Sequence, residues 1–174
     1  VSNPNKGVIQ VTVGGNNVYE NVEIDYRMSS LKAKDILAIL NGEKSETLPT
    51  VIESTENDNL FVFWSGHGVP GAMCWDEEPY AMTGDDLSTV FKDMNLKRRY
   101  RKLLMMVEAC FSGGVMEQCE GIPGMLFITA ANGDETSKAD VFNGEMKVWM
   151  SNRFTSTFIE QITDNKDVAM RDLY

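Results

Sequence analysis

Apolar and polar side chains alternate along residues 8–13. Gly14-Gly15-Asn16-Asn17 supplies turn chemistry, and an apolar pattern resumes over 18–24, which together predict a β-hairpin. Ala33, Ile36, Leu37 and Leu40 then fall at i, i+3, i+4 and i+7, one face of a helix, with Ser30 placed to cap it and Asn41-Gly42 to stop it. Residues 60–64 are a short unbroken apolar run, expected of a strand buried on both faces of a mainly parallel sheet. A minor hairpin is expected around residues 76–79. After it comes a helix capped by Thr83, with Asp86 three residues on and Leu87, Val90, Phe91 and Met94 on one face. Two more apolar strands follow at 103–107 and 125–130, each running into a polar or glycine-bearing loop. Ser151 is placed to cap a last helix carrying Phe154, Phe158, Ile159 and Ile162. Strand and helix alternate without repeat, low-complexity segment or interior linker. The pattern predicts one α/β domain over 1–174, a three-layer α/β/α sandwich around a mainly parallel sheet.

Composition narrows the function without changing that picture. A content of 43% hydrophobic residues suits a folded core, and the longest apolar stretches are far too short to cross a bilayer, so no membrane span is expected. No positively charged, signal-like segment precedes Val1, and the chain as it stands is expected to be soluble. A net charge of −10 disfavours attraction to phosphate backbones, and nucleic acid is not an expected partner. The basic run Lys97, Arg98, Arg99, Arg101 and Lys102 reads as a solvated connection before a buried strand. Three cysteines, Cys74, Cys110 and Cys119, cannot all pair within the chain, which argues against a disulfide scaffold. A single histidine and no C-x-x-C or H-x-x-x-H spacing leave a metal site without support, and no cofactor is expected.

The ends of the apolar strands carry the candidate chemistry. One run ends in Ser65-Gly66-His67-Gly68, the other in Glu108-Ala109-Cys110-Phe111-Ser112-Gly113-Gly114. In open α/β sheets the ligand crevice lies outside the carboxyl ends of the strands, so the only histidine and a cysteine are delivered to one edge. A thiolate attacks a carbonyl, and an imidazole can assist that step and later protonate the leaving amine. Glycines beside both residues let backbone approach a substrate and aim N–H groups at an oxyanion. Taken singly, each residue is more often a packing residue. Together, spacing alone leaves packing and catalysis level. Cys119 reads as a free structural cysteine and Cys74 as packing. Asn132-Gly133 and Asn143-Gly144 read as turns before self-processing sites.

The two strand-end motifs resemble the "hydrophobic strand, His-Gly" and "hydrophobic strand, Glu-Ala-Cys-x-Ser-Gly" motifs of the legumain family. These are caspase-fold cysteine peptidases that also include the glycosylphosphatidylinositol transamidase subunit. The likeness extends to 22–27, 36–42, 97–100 and Thr129-Ala130-Ala131-Asn132, while 149–155 looks more like the transamidase. The resemblance implies Cys110 as nucleophile, His67 as general acid/base, and an oxyanion hole from the N–H groups of Gly68 and Cys110. It implies that Glu108 lines the pocket for the residue before the scissile bond, with Thr136 and Ser137 on the rim. From the residues alone, a Glu108 carboxylate bonded to loop amides is an equal alternative.

By the same resemblance the reaction is peptide cleavage through a thioester, after Asn or a small polar residue. Transamidation through the same thioester and a catalytically silent peptide-binding relative are the alternatives. The implied partner is a peptide or protein substrate, and the implied location is secreted, periplasmic or lumenal. Two departures stand out. Legumains begin with a strand-helix unit carrying an Asn that orients the histidine and basic pocket residues, and nothing before Val1 supplies it; the unit is expected to be a separate N-terminal fragment that associates as a partner, a disordered piece, or one that is lost. Val148 also stands where legumains place a pocket aspartate.

Overall fold

A computed structural model describes residues 5–10, 14–75, 78–145 and 147–164 of the 174-residue chain. Its centre is a three-stranded parallel sheet of β1 (Asn59–Ser65), β5 (Lys102–Glu108) and β6 (Met125–Thr129), ordered β1-β5-β6. Between β1 and β5 come β2 (Gly68–Val69), β3 (Ala72–Trp75) and β4 (Glu78–Thr83), which form a separate antiparallel sheet. The hairpin expected near residues 76–79 is the β3–β4 pair, with Trp75 opposite Glu78, and its turn residues lie outside the described set. A further antiparallel pair, β7 (Ala139–Asn143) and β8 (Val148–Asn152), has no counterpart in the expected elements. Its Phe142 and Trp149 rings meet edge-on at 5.2 Å while both stay more than half exposed, so no buried apolar run announced the pair.

Helices cover both faces of the parallel sheet. On one, α1 (Ala33–Asn41) and α2 (Gly84–Leu96) bury Leu40, Leu87, Phe91 and Met94 against Leu103, Met105 and Val107 of β5. Phe91 is fully buried and meets Phe127 of β6 at 6.0 Å. Each side chain buried to that degree stabilises by about 1.5–3 kcal/mol. On the other face α4 (Arg153–Asp164) lays Phe154 and Phe158 beside Ile128, leaving a cavity of about 290 Å³ whose rim carries Lys138 and Arg153. The mixed α/β class read from the strand-helix alternation is the one observed.

Local capping explains where the helices start. Thr83 N–H donates to the Asp86 carboxylate at 3.0 Å, and Asp86 N–H donates to Thr83 Oγ1 at 3.2 Å, the reciprocal box its spacing predicts. For α1 the expected cap, Ser30, lies instead in a short 3-10 turn. Asp35 accepts from Lys32 N–H at 2.7 Å and so opens the helix, which Gly42 ends in the left-handed conformation at φ 69°. Ser151 caps nothing either: it sits inside β8 and its hydroxyl is buried without a hydrogen-bond partner among the described residues.

Three other expectations are corrected. The N-terminal hairpin forms no strand pair among the described residues: one backbone bond crosses it, Val18 N–H to Ile9 O at 2.8 Å, while Ile9 N–H donates to Asn17 Oδ1 at 2.9 Å and Asn17 Nδ2 to Gly7 O at 3.2 Å. Residues 11–13 of that expected strand lie outside the described set. β1 is half-buried on one face and exposed on the other; Phe61 is 61% and Phe63 43% exposed, and the strand buried on both faces is β5. Nor is the basic run wholly solvated. The Arg99 guanidinium donates to the carbonyls of Asn41 and Ile52, tying the end of α1 to the loop before β1. A Cβ on Gly42 would lie 2.0 Å from Arg99 Nη2, a second reason for glycine there.

Candidate active site

The parallel register sets Ser65 opposite Glu108, so β1 and β5 end side by side and release their following residues at one edge. Gly66 N–H donates to Glu108 O at 3.1 Å, extending the ladder one step past β1. The next turn brings Gly68 onto the cysteine: a Cβ on Gly68 would lie 2.1 Å from the Cys110 carbonyl oxygen and 3.3 Å from Ala109 Cβ. Only a glycine fits so close an approach. His67 O accepts from Cys74 N–H at 2.9 Å, which pins the loop to β3 while the His67 side chain stays exposed. Among the described residues its imidazole takes no hydrogen-bond partner. The structure therefore brings His67, Gly68 and Cys110 together through their backbones.

Cys110 is half-buried at a sharp turn between β5 and the short helix α3 (Ser112–Met116). Phe111 takes left-handed angles, φ 56° and ψ 18°, which for a residue with a Cβ costs on the order of 1–3 kcal/mol. Three bonds hold that conformation against the loop after β6. Phe111 N–H donates to Glu135 O at 2.8 Å, Gly113 N–H to Ala131 O at 2.9 Å, and Ser112 Oγ to Ala131 O at 3.3 Å. Gly113 and Gly114 both allow close packing against that loop. The Gly113 N–H is already committed, and a Cβ on Gly114 would lie 3.1 Å from Gly133 Cα. The Cys110 thiol has one side-chain contact among the described residues, Ser137 Oγ at 3.6 Å.

Glu108 is 2% exposed. Its Oε2 accepts from Thr155 N–H at 3.0 Å and Thr155 Oγ1 at 2.8 Å, in the first turn of α4, where helix N–H groups lack partners within the helix. Its Oε1 is buried with no hydrogen-bond partner among the described residues. Thr155 was not singled out from sequence, although a threonine in a helix's first turn is the signal for such a contact. Thr136 is exposed, and its side chain joins none of these bonds. Val148, at the expected pocket position, pairs with Asn143 in the β7–β8 hairpin.

The other two thiols differ in their surroundings. Cys119 is 1% exposed, and burial pushes its thiol up to about 11, which keeps it protonated and unreactive at neutral pH. Cys74 lies half-buried in β3. No helix among the described residues is long and apolar enough to cross a membrane.

Comparison with known proteins agrees with this arrangement. The sequence model of the peptidase C13 family matches residues 1–174. Rat (Rattus norvegicus) legumain is 27% identical over 176 residues, covering 99% of this chain and 40% of the relative. The vacuolar-processing enzyme of Ricinus communis is 34% identical over 139 residues, 78% of this chain and 28% of that enzyme. The hemoglobinase of Schistosoma mansoni is 37% identical over 123 residues, 68% of this chain and 27% of that protein. The chain thus spans well under half the length of these relatives. With a family match along its whole length and a histidine and a cysteine released at one edge of a parallel sheet, the chain belongs to the peptidase C13 family.

Proposed function

We propose that this chain carries the nucleophilic centre of a cysteine endopeptidase. Cys110 Sγ adds to a peptide carbonyl carbon, and the resulting oxyanion is held by the backbone N–H groups of Gly68 and Cys110. Collapse of that intermediate breaks the C–N bond. His67 gives the proton taken from the thiol to the departing amine, leaving a thioester on Cys110. Water, losing its proton to His67, hydrolyses the thioester, releases the acid and restores the thiol. The observation that carries this reading is the close approach of Gly68 to the Cys110 backbone, which sets the histidine loop and the nucleophile on one edge. The Phe111 and Gly113 N–H groups are already bonded, to Glu135 O and Ala131 O, which is compatible with the Cys110 N–H acting as a donor from that turn.

Glu108 is the candidate reader of the residue before the cut. One carboxylate oxygen is fixed by Thr155 and the other faces no partner, an arrangement suited to a side-chain amide donor such as asparagine. Thr136 and Ser137 belong to its rim in this reading, and Val148 favours a small or weakly polar neighbour over a second carboxylate. Among the described residues β1 pairs only with β5, and Phe61 and Phe63 stand exposed beside its open edge. Both features favour a further strand-helix unit, in the same polypeptide or as a separate fragment, completing the sheet.

The test is turnover of a peptide library varied at the residue before the cut, together with labelling by a thiol-directed peptidyl inhibitor. Cys110→Ala abolishes both; retention of both sinks the proposal. Product analysis with an added amine reads how the thioester divides between hydrolysis and transamidation.

A further inference from the structure

We propose that Ser137 is a positioning residue for the nucleophile, its hydroxyl donating to the Cys110 thiolate and holding Sγ in place for attack. The inference rests on the reading of Cys110 as the nucleophile and gives Ser137 a part beyond the rim of a substrate pocket. Sγ and Oγ lie 3.6 Å apart, within hydrogen-bond reach for sulfur, and both residues are half-buried. With a neutral thiol either atom can donate. Once the thiol ionises only the hydroxyl can, and a bond to a charged acceptor is the stronger one.

The backbone gives Ser137 little freedom to leave. Two residues before it, Glu135 O accepts from Phe111 N–H at 2.8 Å, the residue directly after the nucleophile. One residue after it, Lys138 O accepts from Arg153 N–H at 2.9 Å, the first residue of α4. Ser137 is thus strung between two anchors, one of them on the nucleophile's own turn. The contact also complements His67, whose ring has no hydrogen bond among the described residues. Ser137 reaches the sulfur from the loop after β6, while His67 comes from the loop after β1, on the other side of β5 in the sheet order.

The ionisable groups on the surrounding elements are few. The histidine loop contributes His67, β5 contributes Glu108, and the loop holding Ser137 contributes Asp134, Glu135 and Lys138. Glu117 follows α3, and Arg153 begins α4. Glu108 Oε2 is engaged by Thr155 and Glu135 Oε1 by Asn132 N–H at 3.1 Å. The Ser137 hydroxyl is the side-chain group recorded against the sulfur itself.

The experiment follows alkylation of Cys110 by iodoacetamide across pH 5–9 in the purified chain, read at Cys110 by peptide mapping. Ser137→Ala is expected to slow alkylation about tenfold at pH 6 and to move the pH profile upward, since a bond to the ionised form is lost. Ser137→Thr and Ser137→Val have nearly the same shape and differ in the hydroxyl. Threonine restores most of the rate and valine matches alanine, which keeps the test valid if the alanine variant folds poorly. Wild-type and Ser137→Ala profiles that superimpose, or equal rates for threonine and valine, overturn the proposal. Alkylation needs no peptide turnover, so this result stands or falls separately from the loss of cleavage in Cys110→Ala.

Discussion

Replacing Gly68 by alanine adds one methyl group where the histidine loop meets the nucleophile's backbone. That methyl would stand 2.1 Å from the Cys110 carbonyl oxygen, about 0.9 Å inside the 3.0 Å limit of real Cβ contacts. The atoms it meets are Cys110 O and C and Ala109 Cβ, none of which can rotate away, so the histidine loop or the cysteine turn has to move by about that distance. Overpacking of this kind costs about 1–3 kcal/mol, and in a domain of this size lowers the melting temperature by roughly 3–9 °C. A misplacement of about 1 Å between reacting groups costs about a hundredfold in rate, so kcat falls further than KM rises. The assay is peptide turnover beside a thermal melt, with Gly144→Ala as control, because a Cβ at Gly144 meets nothing within 4 Å. A Gly68→Ala protein melting within about 1 °C of wild type and cleaving at full rate would refute the close approach on which the site is built.

Glu108→Ala removes the acceptor of both Thr155 bonds and leaves a void at a 2%-exposed position, a loss of about 2–4 kcal/mol by chemical denaturation. Glu108→Gln keeps the shape and one acceptor oxygen and loses about half as much; equal losses would show that charge, and not shape, holds α4 in place. Acid stability supplies another check. Asp58 is held below its ordinary 3.8 first by the Thr55 N–H and then by the Thr55 hydroxyl. A carboxyl more acidic in the folded chain contributes stability that is complete above its unfolded value and is lost as pH falls through the folded one. Melts of Asp58→Asn therefore decline less steeply than wild type below about pH 4 and differ least in slope near neutrality. Parallel slopes through the acid range would refute the assignment.

Legibility in this chain follows the distance between partners. α2 was readable because its cap and its buried stripe, Thr83 to Met94, lie within one element and bond to one another. The strand ends carrying His67 and Cys110 were readable for the same reason, since an apolar run followed by glycine is a local pattern. What the pattern did not hold is how many neighbours a strand has: the runs of β1 and β5 look alike, yet among the described residues β1 lies at the edge of the sheet and β5 at its centre. Arg99 was misread because its acceptors, Asn41 and Ile52, lie 58 and 47 residues away and mark nothing in the basic run itself.

The site divides along the same line. Glu108 left two readings open from sequence, a carboxylate bonded to amides or one turned to substrate, and the Thr155 bonds supply a protein partner for one oxygen. Oε2 is bound by Thr155, 47 residues on, and Oε1 is buried without a partner among the described residues. A buried carboxylate oxygen without a donor is costly, and that cost is recovered only when something brings a donor to it. The left-handed Phe111 fits the same logic, because its strain is held by Glu135, part of the loop that presses Ser137 onto the thiol. Residue types at the strand ends pointed to the chemistry. Contacts across 27 and 47 residues decide how the sulfur and the carboxylate are held, and those contacts are where substitution separates catalysis from folding.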